Sequence, residues 1–327
     1  MSATAMNPQD SQTGRGSAPN NTVELENTPL LKAEGGALSP DRFVAHGVTA
    51  PEYSRLAVST VFFFPALGGM LFGYDIGATS AVLTQLESST YSGVTWYNVV
   101  AGSSFLQGFI TSSGVLGAVV GSLICFRVAD VLGRRRELLV AAVLFATGAL
   151  IMGVSGVSDW SAGVGITVLM CGRILYGLGC GFAMHGAPAY IGEMSPPSVR
   201  GVLVSLKEAM IVLGILLGYL MGYLLEDSEG GWRAVYASAA VPAAAMLVGM
   251  LGMPSSARWL VLRGRVEEAR RSLRYVTPNI SELAIAEIQA SAEKAAGEDE
   301  GSGAAADGAG RRGGDGGGAL AGLSALW

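Results

Sequence analysis

Six apolar runs alternate with short polar stretches between two polar ends. They cover about residues 56–83, 104–126, 138–157, 165–191, 202–225 and 231–252. A helix of about 20 apolar residues crosses a bilayer, so the pattern predicts six membrane helices. Glycines recur within the runs: Gly69, Gly73 and Gly77 in the first, Gly114, Gly117 and Gly121 in the second, Gly214, Gly218 and Gly222 in the fifth. Three- and four-residue spacings put glycines on one helix face, where a neighbouring backbone can come close.

The ends read differently. Residues 1–55 are rich in Ser, Thr, Asn, Gly and Pro and are expected to form a disordered cytosolic tail with no signal-peptide pattern. Residues 253–296 are expected to form cytosolic helices, an amphipathic one over 266–276 and an acidic, alanine-rich one over 281–296. Residues 297–327 are Gly/Ala-rich, low in complexity and expected to be disordered; the closing ALAGLSALW is too short to span a bilayer.

Composition agrees with a membrane protein. Half the residues are hydrophobic, 14% are charged and the mean hydropathy is +0.43, against about a quarter charged in soluble chains. The net charge of −5 argues against a nucleic-acid partner. Cys125, Cys171 and Cys180 fit no metal-site spacing and imply no disulfide framework. Two histidines, His46 and His185, are too few for a metal or catalytic cluster, and His185 reads as a packed or cavity-lining residue. Gly177-Leu-Gly179-Cys-Gly181 lacks the third glycine and the preceding strand of a dinucleotide loop, so no cofactor is expected. Lys and Arg crowd the stretches 127–136 and 258–274 and the end of the fourth run, whereas the intervening loops carry only Arg233. That asymmetry predicts cytosolic basic ends and, with six crossings, both termini in the cytosol.

The candidate chemistry is the charge inside the runs. Asp75 and Arg173 lie in bilayer-length apolar segments, where charges usually face a bundle interior and mark a pathway. Residues 171–201 read CGRILYGLGCGFAMHGAPAYIGEMSPPSVRG. This stretch resembles the sugar-porter signature of the major facilitator superfamily, a GR opening the fourth helix and Y-x-G-E-x-S-P-x-x-x-R-G closing it. Asp130-Val-Leu-Gly133-Arg134-Arg135 resembles the loop between the second and third helices, with Val131 in place of a basic residue. Pro254-Ser-Ser-Ala-Arg258-Trp-Leu resembles P-E-S-P-R-[WF]-L, with Ser255 in place of the glutamate. Phe72-Gly73-Tyr74-Asp75 resembles the first-helix F-G-Y-D of proton-coupled members. Ser205-Leu-Lys207-Glu208 resembles the plant and algal branch of vacuolar glucose transporters and plastid xylose-proton symporter-like proteins.

The resemblance implies an all-α membrane protein, the six-helix N-terminal half of a major facilitator fold. It implies transport of a hexose or pentose, coupled to protons, by alternating access. Asp75, Arg173 and Glu208 are then the proton-coupling residues, and Phe72, Glu208 and Ile215 contact the sugar. Asp130, Gly133, Arg134, Arg135, Glu193, Arg200 and Arg258 form a cytosolic gate. The family needs two six-helix halves facing each other across the substrate, so a truncated half is expected here, with a C-terminal half or a second copy as partner. A non-transporting sugar sensor or regulatory half is the alternative. Glu26, Leu30 and Leu31 resemble an acidic dileucine sorting signal, which points to the vacuolar membrane before the plastid envelope or plasma membrane.

Overall fold

A computed structural model describes residues 53–156, 160–196 and 198–278. The dileucine residues Glu26, Leu30 and Leu31, the helix expected over 281–296 and both low-complexity ends lie outside them. Helix α1 (Arg55–Glu87) starts where the Ser54 hydroxyl accepts from the Ala57 N–H. A short helix, α2 (Tyr97–Ala101), interrupts the connection read as loop. Helix α3 (Ser104–Leu132) is capped in the same way by Ser103. Gly133, at φ +79°, then turns the chain directly into α4 (Arg134–Val154). After α4 come α5 (Ala162–Met194) and α6 (Arg200–Leu224). The sixth run forms α7 (Gly231–Ser238) and α8 (Ala240–Gly252), and α9 (Ala257–Leu262) and α10 (Val266–Val276) complete the described chain.

Six segments among the described residues are long and apolar enough to cross a membrane, α7 and α8 counting as one. The protein is an all-α, integral, multi-pass membrane protein. Several boundaries differ from the pattern-based reading, and α3 runs on to Leu132, past the apolar run that ends near residue 126. Helix α4 begins at Arg134 rather than Leu138, because the Glu137 N–H bonds the Gly133 carbonyl at 3.1 Å and carries the charged stretch into the first turn. The sixth run divides at Ala239 because Pro242 has no N–H to give the Ser238 carbonyl. Ala239 keeps helical angles (φ −60°, ψ −20°), so the axis continues.

Close packing explains the glycine stripes. Helix α1 packs chiefly on α6, and α5 packs on both α3 and α4. A Cβ on Gly73 or Gly77 would collide with the α6 backbone at Ile211 or Ile215, and one on Gly214 or Gly218 with α1. Gly117 and Gly121 face α5 in the same way. The two ends of the bundle are tied separately. At one, the Ser54 N–H donates to the Val276 carbonyl at 3.0 Å, which brings the start of α1 beside the end of α10. At the other, Trp232 Nε1 donates to the Ser92 carbonyl at 2.7 Å and the Gly230 N–H to the Tyr91 carbonyl at 2.8 Å. Helices α3 and α6 bury the smallest share of their surface and carry much of the exposed apolar area, including Val115, Leu123, Leu216 and Tyr223.

Candidate functional site

Four membrane segments meet at Arg173. Its side chain is 1% exposed, and a guanidinium so placed must give its five N–H donors to protein. Nη1 donates to Asp75 Oδ1 at 3.1 Å, and Nη2 to Asp75 Oδ2 at 3.3 Å. This two-point geometry matches the planar fork to the carboxylate. Nη1 also reaches Thr79 Oγ1 at 2.9 Å and Tyr236 Oη at 3.0 Å. Nε donates to Ser113 Oγ at 3.1 Å, and Nη2 to the Thr111 carbonyl at 3.3 Å. The guanidinium carbon also lies 5.6 Å from the Tyr236 ring centroid. Asp75 and Thr79 come from α1, Thr111 and Ser113 from α3, Arg173 from α5 and Tyr236 from α7.

Each contact has a local cause. Asp75 and Thr79 are four apart and share a helix face. The Thr79 hydroxyl donates to the Asp75 carbonyl at 2.6 Å, which leaves its lone pair for Arg173. Gly114 makes room: a Cβ there would sit 2.9 Å from Arg173 Nη2 and 3.1 Å from Asp75 Oδ2. Around the cluster, Tyr74 Oη donates to the Val235 carbonyl at 2.8 Å and Tyr176 Oη to the Leu71 carbonyl at 2.8 Å, pinning α1 to α7 and α5. Asp75 is 14% exposed, so one side of its carboxylate opens outward while Arg173 is sealed. The arrangement can hold one negative charge against one positive charge, and losing either leaves the other uncompensated.

A second polar assembly lies at the basic end. Arg134 joins Glu193 at 3.5 Å and Asp130 at 3.4 Å. Arg135 caps α8, donating from Nε to the Met250 carbonyl at 3.1 Å and from Nη2 to the Leu251 carbonyl at 2.7 Å. Trp259 covers Gly133, where a Cβ would meet its ring at 2.8 Å. Trp259 Nε1 and Arg263 Nη2 both donate to the Asp130 carbonyl, at 2.8 and 2.9 Å. The Ser256 hydroxyl donates to Glu193. Ser255 itself offers only its carbonyl, which accepts from Ser272 Oγ at 2.6 Å. Helix α9 thus clamps the α3–α4 turn without the glutamate that Ser255 replaces. Arg200 and Arg258 are exposed, and no ion pair joins either to a carboxylate among the described residues.

Residues 61–308 match the sequence profile of the family described as "Sugar (and other) transporter". The chain belongs to this family. It is 43% identical over 244 residues to "D-xylose-proton symporter-like 2" of Arabidopsis thaliana, an alignment covering 72% of this chain and 46% of that protein. It is 46% identical over 232 residues to "D-xylose-proton symporter-like 3, chloroplastic" of the same plant, covering 70% and 40%. Among solved structures, the proton:xylose symporter XylE bound to 6-bromo-6-deoxy-D-glucose superposes with a TM-score of 0.64 at 29% identity, over 74% of this chain and 54% of that one. The partially occluded inward-open XylE from E. coli gives 0.63 at 29% identity, over 73% and 60%. The chain spans about half the length of these relatives.

Three residues that the resemblance ties to sugar or proton stand apart from the cluster. Glu208 on α6 is 63% exposed and pairs at 2.7 Å with Lys207, which is 4% exposed. No hydrogen bond or ion pair joins Glu208 to Asp75 or Arg173 among the described residues. Ile215 is half-buried on α6, with its carbonyl beneath Gly77. Phe72, half-buried, packs against the apolar core one turn before Asp75. The pattern-based reading missed Thr79, Ser113 and Tyr236. Thr79 alone left a signal, its four-residue spacing from Asp75.

Proposed function

We propose that this chain forms one wall of a sugar transporter that moves a hexose or pentose together with a proton. The observation that carries the reading is the Asp75–Arg173 pair, held in two-point contact where four membrane segments cross. Protonating Asp75 removes its negative charge and loosens its hold on Arg173. The freed guanidinium then relies on Thr79, Tyr236, Ser113 and Thr111, which ties α1 less firmly to α5. A proton can drive the change between inward-open and outward-open forms only by binding one of them better. A pair whose strength depends on protonation supplies that difference.

The relatives' printed activities support the same assignment, since they include proton symporters for xylose and a glucose transporter of Staphylococcus epidermidis. In the family arrangement the exposed faces of α3 and α6 meet an opposing six-helix half, and the sugar lies between the halves. Glu208 and Ile215 on α6 and Phe72 on α1 are the contacts proposed for sugar on this side. Arg134, Arg135 and Glu193, with Asp130 and Gly133, are proposed to lock the cytosolic end while the site is open outward, and Arg200 and Arg258 to pair with the opposing half. The vacuolar membrane is the proposed location, through Glu26, Leu30 and Leu31.

Counterflow and proton-driven uptake of labelled xylose and glucose test the reading, with whole transporter containing this half in proteoliposomes. An inward proton gradient should concentrate sugar, and a protonophore should abolish the accumulation. Sugar-dependent partner binding without uptake would favour the sensor alternative.

A further inference from the structure

A cluster outside the Asp75–Arg173 network stands unused by this reading. Cys125 on α3, Glu137 on α4 and His185 on α5 meet in the half of the bundle nearer the basic end. Glu137 is 0% exposed, and both its contacts fall on one oxygen: Cys125 Sγ donates to Oε1 at 2.6 Å, and His185 Nδ1 lies 2.6 Å from the same atom. Oε2 is buried with no hydrogen-bond partner. A buried carboxylate oxygen without a partner has given up its water and gained nothing in return. The three ligand atoms lie within 4.8 Å of one another.

We propose that Cys125, Glu137 and His185 form a binding site for a zinc-class divalent cation. The donor set selects the metal class: a thiolate excludes magnesium and calcium, and sulfur with imidazole and carboxylate suits zinc. Charge points the same way. One thiolate, one carboxylate and a neutral imidazole balance a divalent cation, which leaves a neutral cluster in an apolar interior. Binding releases the thiol proton to solvent. Zinc ligand bonds of about 2.0–2.3 Å put neighbouring donor atoms about 3.3–3.6 Å apart. Glu137 therefore has to withdraw by less than about 1 Å, and turning its carboxylate brings Oε2 to the ion. The His185 side chain is 30% exposed, which gives an ion a way in and leaves room for a fourth ligand. Phe126 packs edge-on against the His185 ring, 5.8 Å between centroids, and fixes its plane. Arg134, a charge near the cluster, is already engaged by Glu193 and Asp130. Bound metal would fasten α3, α4 and α5 one turn inside that ion-pair assembly. The proposal does not depend on sugar or proton transport.

The test uses Co²⁺ and Zn²⁺ with the reduced, purified 327-residue chain in detergent. One equivalent of Co²⁺ should produce a thiolate-to-cobalt charge-transfer band and strong visible d–d bands, and one equivalent of Zn²⁺ should erase them. Cys125→Ser should remove the charge-transfer band. His185→Gln should weaken binding by at least about 100-fold, since losing even an outer-shell partner costs about 10- to 100-fold. Cys171→Ser and His46→Asn should change nothing. Zn²⁺ should also raise the Tm of the wild-type chain, a readout that holds if a variant fails to fold. No charge-transfer band at saturating Co²⁺, or a band that survives Cys125→Ser, overturns the proposal.

Discussion

At the scale of single residues the two partners of the central pair are not equivalent. Among the described residues the Asp75 side chain has hydrogen bonds to Arg173 alone, whereas Arg173 has four further acceptors. Arg173→Ala therefore strands a buried carboxylate, and removing one member of a buried pair costs about 3–5 kcal/mol. Asp75→Asn costs the guanidinium its counter-charge but leaves its hydrogen bonds to Thr79, Tyr236, Ser113 and Thr111 in place. Thermal melts of the purified chain should show Arg173→Ala much the less stable of the two, and equal losses would contradict this asymmetry. Asp75 and Arg173 were legible because charge is rare in long apolar runs. Ser113 and Tyr236 were not, because a serine or tyrosine in such a run says nothing about which neighbour its hydroxyl meets. The contact of Cys125, Glu137 and His185 was hidden for the same reason: three helices bring together residues whose spacing along the chain matches no site.

At the scale of elements, the helices and their glycine faces were legible from periodicity and the partners of those faces were not. The stripe at Gly73 and Gly77 marks a close approach, but only the fold shows that α6 makes it. Gly73→Ala should cost about 1–3 kcal/mol, the usual range for overpacking, because the α6 backbone at Ile211 lies where the Cβ would go. Gly163→Ala is the control, as nothing lies within 4 Å of its Cβ. It should be neutral or stabilise by up to about 1 kcal/mol. Equal melts for the two variants would show that α1 and α6 do not pack this closely. The break at Ala239 was written in Pro242, while the early start of α4 depends on Gly133 at positive φ beneath Trp259, a contact between residues far apart in sequence.

At the scale of the molecule, the tied ends put the start of α1, the α3–α4 turn, α9 and α10 on one face. Impermeant thiol reagents on intact vesicles test which face is cytosolic. In a chain lacking exposed Cys171, Arg258→Cys should label from the cytosolic side and Ser228→Cys from the opposite side. Labelling of Ser228→Cys from the cytosol alone would contradict the topology. Leu30→Ala with Leu31→Ala should shift a tagged whole transporter from the vacuolar membrane to the cell surface, and an unchanged distribution would remove the sorting signal. If the six helices furnish one wall of the cavity, as proposed, the 327-residue chain by itself should give no sugar uptake above empty liposomes. The central claim is that Asp75 carries the coupling proton. Its most direct test compares proton-driven accumulation with sugar counterflow in whole transporter bearing Asp75→Asn or, separately, Glu208→Gln. Asparagine keeps the shape of aspartate but cannot release a proton, so Asp75→Asn should abolish accumulation and leave counterflow partly intact, while Glu208→Gln still accumulates sugar. Accumulation that survives Asp75→Asn but is lost in Glu208→Gln would contradict the account and move the coupling role to Glu208.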